Sequence, residues 1–411
     1  MSSIRLTPRL LLLSAFMLLS MVAVGCREES TTTAFVPTVR DVDGDPRPFL
    51  LGFSDVPGEL TDTAYAAQFD FIAAYGEAIL LQRPPSWSSF IGNASVSDAL
   101  RDEVLAAREA ARQRNLAVVV ALDPFDPANR GRLVGLPSNY EGRSLADPDL
   151  RAAFVAEAEF LARNMRPQYL ALGTEVNTTY ERNPEGYFAF IEAYREAYDA
   201  VKEASPNTQV FVTFQYEELL GIVPELPPHQ PRWELLDDLG ARLDLVGLTS
   251  YPSFVYPTAR KVPAEYYRQI DKYTEQPVAF VGVGFSSGAT RGGVNASTEP
   301  EQRRFLQRLL DDAFRIQSQL VIWFASHDLG FAASPPYDVL ANIGLLTTAG
   351  TPKEAWAVWE AAAQRPVDVE AAAALLAEIE AAETAEPTPT ETETATPDAT
   401  ETPTPTAAPG G

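Results

Sequence analysis

Eight short, almost wholly apolar runs punctuate the chain between positions 49 and 324, and they limit its possible folds more tightly than any other feature. They are Phe49–Phe53, Ala78–Gln82, Ala117–Leu122, Tyr169–Gly173, Val210–Phe214, Leu243–Leu248, Val278–Val283 and Leu320–Phe324. Runs of this length without a polar alternate face predict parallel strands covered on both sides. Helical patterns fill the gaps between them. Ser97 suits the cap of a helix running to about Asn115, and Asp147 and Asn183 precede Pro148 and Pro184, which a first helical turn tolerates. Thr298-Glu299-Pro300 opens another helix in the same style, and a closing helix starts near Pro352. Eight strand–helix units in roughly 310 residues predict an α/β fold of the (β/α)8 TIM-barrel class rather than an open doubly wound sheet. An open sheet would usually carry a Gly-x-Gly-x-x-Gly loop after its first strand, and Ser54-Asp55-Val56-Pro57-Gly58 is not one. One barrel domain is expected over residues 47–365, with a further helix over 366–382.

The two ends read differently. Arg5 and Arg9 precede an apolar run from Leu10 to Val24, too short to span a bilayer comfortably, so residues 1–25 are expected to be an export signal. Its closing residues, Ala23-Val24-Gly25-Cys26, resemble a bacterial lipobox, and that resemblance implies a lipid on Cys26 and a place at the extracytoplasmic face of a membrane. Cys26 is the only cysteine, so no disulfide framework is available. Residues 26–46 suit a tether. Residues 383–411 are Thr, Pro, Glu and Ala without an aromatic, Leu, Ile or Val, and are expected to be disordered. A net charge of −24 argues against nucleic acid and acidic polymers as partners.

In a barrel of this class, chemistry gathers just after the C-terminal ends of the strands. Those positions hold Ser54 and Asp55, then Gln82 and Arg83 leading to Trp87, then Asp123 and Asp126. Gly173-Thr174-Glu175-Val176-Asn177 follows the fourth strand, Gln215 to Glu218 the fifth, and Thr249-Ser250-Tyr251-Pro252 the sixth. Gly282 to Gly288 closes the seventh, and Trp323 to Asp328 the eighth. Carboxylates, amides, hydroxyls and aromatics together suit a sugar, whose hydroxyls need polar partners and whose ring faces stack on aromatics.

Four segments resemble the retaining TIM-barrel glycoside hydrolases that keep one catalytic glutamate after strand four and another after strand seven. Ala171-Leu172-Gly173-Thr174-Glu175 is similar to their strand-four motif, in a form found in certain endo-β-mannanases. Asp244-Leu245-Val246-Gly247-Leu248 through Tyr251-Pro252 resembles the strand-six motif of endo-β-1,4-galactanases. Trp323 matches a strand-eight tryptophan that floors the cleavage site, and Gly344-Leu345-Leu346 to Gly350-Thr351-Pro352-Lys353 resembles a closing turn. The resemblance implies Glu175 as acid/base and a nucleophile in the stretch Pro277 to Gly284. Gly282 occupies the nucleophile position, and the nearest acids are Glu275 and Glu299. A retaining mechanism needs two carboxyls about 5 Å apart, so its usual covalent route lacks a partner.

The resulting expectation is a carbohydrate-active, cell-surface lipoprotein that binds a β-glycan at the barrel mouth, with hydrolysis compromised by Gly282. The rival is a non-catalytic glycan-binding or structural envelope protein. Expected substrate contacts are Arg83, Trp87, Thr174, Asn177, Tyr251, Trp323 and Asp328. Arg83 either pairs with Glu175 or once oriented the missing nucleophile, and Trp87 either stacks on sugar or packs on a helix. Asp123, Glu217, Glu218 and Asp328 are either solvated loop acids or working groups, and surviving hydrolysis by inversion would draw on Glu175 with Asp328, Glu217 or Asp123. His229 and His327 are too few and too far apart for a zinc site, and no Asp-rich calcium loop is present. No cofactor or metal is expected, and the partners expected are an oligosaccharide or polysaccharide and a membrane, for a monomer.

Overall fold

A computed structural model of the chain describes residues 44–384 apart from 225, 290–296, 333, 335 and 336. The expected signal, Cys26, and nearly all of the tether and of the tail lie outside the described residues. Eight parallel strands close into one barrel: β1 Leu50–Ser54, β2 Ala78–Arg83, β3 Ala117–Leu122, β4 Tyr169–Ala171, β5 Gln209–Gln215, β6 Val246–Ser250, β7 Val278–Val283 and β8 Leu320–Trp323. Each strand pairs with its sequence neighbours, and β8 closes on β1 in the register Leu50–Leu320 to Phe53–Trp323. The expected TIM barrel is therefore the fold. Every residue of β1, β3, β6, β7 and β8 is buried, as strands covered on both faces require.

Long helices cover the outside where the sequence allows them: α1 Asp62–Tyr75, α2 Asp98–Gln113, α3 Pro148–Asn164, α4 Val176–Arg182 and α5 Pro184–Ala204. Side-chain caps start three of these where expected, with Ser97 Oγ accepting from Leu100 N at 3.2 Å, Asp147 from Asp149 N at 2.9 Å and Asn183 from Gly186 N at 2.9 Å. Thr298, by contrast, begins Glu299–Arg315 without a side-chain cap. The expected strand–helix alternation fails twice. Among the described residues, only the four-residue helix Tyr216–Leu219 and the 3-10 turn Trp233–Leu236 stand between β5 and β6, and only three 3-10 turns between β6 and β7. Pro224, Pro227, Pro228 and Pro231 break the first connection, and Pro252, Pro257 and Pro263 the second, because a proline removes a helix donor and clashes with the preceding turn. After β8 the chain adds Trp356–Ala363 and Val369–Thr384.

An ion pair ties the two ends of the barrel chain together at its base. Arg47 donates to Glu77 at 2.7 Å and to the Ala362 carbonyl at 3.0 Å, and Glu77 accepts from Leu51 N at 3.0 Å. At the opposite, C-terminal mouth an antiparallel hairpin, Phe125–Asp126 with Asn129–Leu133, follows β3. The hairpin adds two strands outside the eight expected ones, and its Arg130 shapes the site.

Candidate active site

Glu175 reaches the mouth through two unusual backbone positions. A Cβ at Gly173 would meet the Phe190 ring at 2.8 Å, so only glycine lets β4 pass under that ring. Glu175 then takes a left-handed conformation, φ 52° and ψ 47°, immediately before α4. That conformation costs a non-glycine residue about 1 kcal/mol and is held by its neighbours. Glu175 N donates to Thr213 Oγ1 at 2.9 Å, and the Glu175 carbonyl accepts from Thr178 Oγ1 at 2.7 Å.

The carboxylate is gripped on both oxygens. Arg130 Nε donates to Oε2 at 2.9 Å, and Thr249 Oγ1 donates to Oε1 at 3.0 Å. Arg130 comes from the hairpin and also donates to Asp123 Oδ2 at 2.7 Å and to the Thr174 carbonyl at 2.9 Å. Burial pushes the Asp123 carboxyl above its usual range, with Arg130 pulling the other way. Burial also works against the Arg130 charge, but Asp123 and Glu175 outweigh it and hold the guanidinium protonated. The mouth thus contains two carboxylates sharing one cation.

Gly282 faces this cluster. It is an extra residue in β7: Val281 and Val283 pair with the adjacent Ile322 and Trp323, while Phe280 and Val283 pair with Leu248 and Ser250. Such a bulge needs its φ of +104°, which favours glycine. A Cβ there would lie 3.6 Å from both Thr249 Cγ2 and the Tyr251 hydroxyl, and 3.8 Å from Phe324 Cδ2. A side chain at this position would therefore point towards the residue that holds Glu175. Tyr251 stacks on Phe254 at 5.5 Å and meets Phe324 edge-on at 6.2 Å. Burial, then the Glu175 charge, pushes the Tyr251 hydroxyl far above its usual range, so it stays a neutral donor.

Among the solved structures that the chain is similar to are several glycoside hydrolases. A GH5_18 protein from Streptomyces cattleya, in complex with Manβ1-4GlcNAc, matches with a TM-score of 0.56 at 20% identity over 78% of this chain and 79% of that one. An exo-β-1,4-mannosidase from Opitutaceae bacterium strain TAV5 matches with a TM-score of 0.58 at 15% identity over 84% and 62%. Xylanase 10B from Thermotoga maritima gives 0.52 at 10% identity over 80% and 97%. At these identities the likeness is one of fold. No protein-family model matches the sequence, and no curated protein matches it.

Several expected contacts lie elsewhere. Arg83 points away from Glu175 towards the helices, within 3.4 Å of Glu103, 3.8 Å of Glu157 and 3.3 Å of Ser86 Oγ. Successive strand residues face opposite sides, so its outward direction turns Gln82 inward. Trp87 is buried and donates to the Val134 carbonyl at 2.7 Å, which makes it packing rather than a platform. Trp323 is fully buried, donates to the Ile343 carbonyl at 2.7 Å and packs on Phe305 of the outer helix layer. The half-buried aromatic that meets Tyr251 is its neighbour Phe324. Asn177 is buried and spans Gln215, donating to its carbonyl at 3.0 Å and accepting from its N–H at 2.8 Å. Thr174 is buried beside Asp123, its N–H donating to that carboxylate at 3.4 Å.

The remaining rim acids have structural partners. Glu217 is buried and accepts from Ser250 Oγ at 2.5 Å, Tyr266 Oη at 2.9 Å, Gln215 Nε2 at 2.5 Å and Tyr251 N at 3.1 Å. Glu218 pairs with Arg182 at 2.7 Å. Asp328 pairs with Lys353 at 2.5 Å and accepts from Gly344 N at 3.2 Å, so the closing turn fixes the strand-eight loop. Among the described residues no group of His, Cys, Asp or Glu is placed to hold a metal ion.

Arg130 is absent from the expected mouth positions, and Thr249 and Phe324 stand among those positions but not among the expected contacts. Thr249 lies two residues before Tyr251, and Phe324 one residue from the tryptophan chosen instead, so period-two alternation was the available signal. For Arg130 the signal was Pro127-Ala128-Asn129, a turn ahead of a short strand-like run.

Proposed function

We propose that the chain is a glycan-binding barrel that receives a β-linked oligosaccharide or polysaccharide across its C-terminal face, without covalent catalysis. The observation that carries this reading is the Glu175 carboxylate, fixed by Arg130 and Thr249 opposite a β-bulge glycine. The half-buried Phe324 supplies apolar ring surface at the mouth, with the buried Tyr251 packed against it. The mannosidase, xylanase and Manβ1-4GlcNAc complex among the similar structures support a β-linked sugar as ligand. Loss of the retaining route follows from Gly282, which leaves no carboxyl at the nucleophile position in β7, while the other carboxylate at the mouth, Asp123, is tied with Glu175 to the same arginine. Inversion would need a carboxylate free to activate water about 6.5–9.5 Å away, and Asp123, Glu217 and Asp328 are each held by donors.

The expected export signal and Cys26 lead us to place the protein outside the cytoplasm, lipid-anchored. It acts there as a monomer. Turnover assays on β-mannan, β-galactan and β-glucan test the central point with wild type and Glu175→Gln. The expected result is no turnover by either protein and saturable binding by the wild type. Turnover by the wild type that disappears in Glu175→Gln would replace this reading with that of a hydrolase.

A further inference from the structure

A cavity is lined in part by the hairpin that carries Arg130. Its volume is about 450 Å³, and neither Arg130, Asp123 nor Glu175 lines it. That volume falls within the usual range for small-molecule sites, roughly 300–1,000 Å³. The hairpin residues Gly131 and Arg132 form part of its lining, together with the loop through Gly142 and the junction of α4 and α5.

Three features of this cavity point to a ligand. Thr179 of α4 lines it and is fully buried, and among the described residues its Oγ1 has no hydrogen-bond partner. Leaving a buried hydroxyl unpaired costs about 1–3 kcal/mol, which a ligand hydroxyl would recover. Secondly, the lining charges balance: Asp126 and Glu141 against Arg132 and Arg143, with Arg132 on Asp126 at 3.2 Å and Arg143 on Asp147 at 2.5 Å. A lining without net charge suits a neutral polar molecule better than an ion. Thirdly, the exposed residues Gly135 and Gly142 bring backbone polar groups to the surface, while Leu133, Val134 and Leu136 add apolar patches.

We infer that this cavity is a second binding site, for a neutral saccharide of one or two sugar units. Hydroxyls would meet Thr179 Oγ1 and the backbone groups, and ring C–H faces would meet the leucines. The inference rests on the lining of the cavity and does not require the barrel mouth to bind anything.

The test is amide NMR of the full chain, using glycine resonances as local reporters. Gly135, Gly142 and Gly186 report the cavity, and Gly282 and Gly284 report the barrel mouth. The probes are β-1,4-mannobiose, cellobiose, β-1,4-galactobiose and xylobiose, with sulfate as the anionic rival. The expected result is that at least one disaccharide saturably shifts the cavity glycines, and that Thr179→Val weakens this roughly tenfold while the mouth glycines respond as before. Should Thr179→Val fold poorly, Arg132→Ala at the exposed rim is expected to weaken the same shifts severalfold. Silence of the cavity glycines towards all four disaccharides, shifts with sulfate alone, or unchanged affinity in both variants would overturn the inference.

Discussion

Asp123 and Glu175 share the guanidinium of Arg130, so neutralising that arginine leaves two like charges facing each other at a mostly buried site. Breaking such a pair by removing one partner costs about 3–5 kcal/mol. Chemical denaturation of Arg130→Gln should show a loss of this order, and adding Asp123→Asn should restore part of it. Asp55, just after β1, offers a pH test. Burial pushes its carboxyl from 3.8 to about 7, so the folded chain binds that proton more tightly than the unfolded one. Its contribution is complete below about pH 4 and is lost as pH rises through 7. Asp55→Asn should therefore flatten the fall in stability between pH 4.5 and 7.5, and an unchanged slope would contradict the assignment. Glu157, also raised to about 7 by burial, contributes a decline of the same sign that remains in this variant. The sequence located Glu175 through its motif, but not the cation beside it: Arg130 arrives on a hairpin 45 residues upstream, and no local pattern links the two.

Strands were the most legible elements, because a barrel strand buried on both faces leaves an unbroken apolar run. The same property hides which way each side chain points. Trp323 and Phe324 are both apolar and adjacent, and only the pleat and its pairing register separate the packed ring from the one at the mouth. Trp323→Ala should cost about 3–5 kcal/mol by opening a cavity in the outer layer. Phe324→Ala should instead lose mainly glycan affinity, and calorimetric titration beside denaturation distinguishes the two outcomes. The bulge at Gly282 was equally hidden. Read along the chain it is a missing side chain, whereas in the barrel it is a backbone conformation. Gly282→Ala should accordingly cost about 1–2 kcal/mol although its Cβ finds room, and a neutral substitution would show that the bulge relaxes.

For the whole molecule, closure of eight parallel strands follows from counting apolar runs, and the two connections without long helices follow from counting prolines. The barrel presents one mouth where a glutamate, a shared arginine and two aromatic rings converge, with a polar cavity lined in part by the hairpin that carries that arginine. Calorimetric titration of a soluble β-1,4-linked manno-oligosaccharide into wild type, Glu175→Gln and Trp323→Phe tests the central claim most directly. Saturable binding that Glu175→Gln weakens about tenfold or more, and Trp323→Phe leaves unchanged, is the predicted result. Binding that is indifferent to Glu175, or that collapses with Trp323 while the protein remains folded, would contradict it.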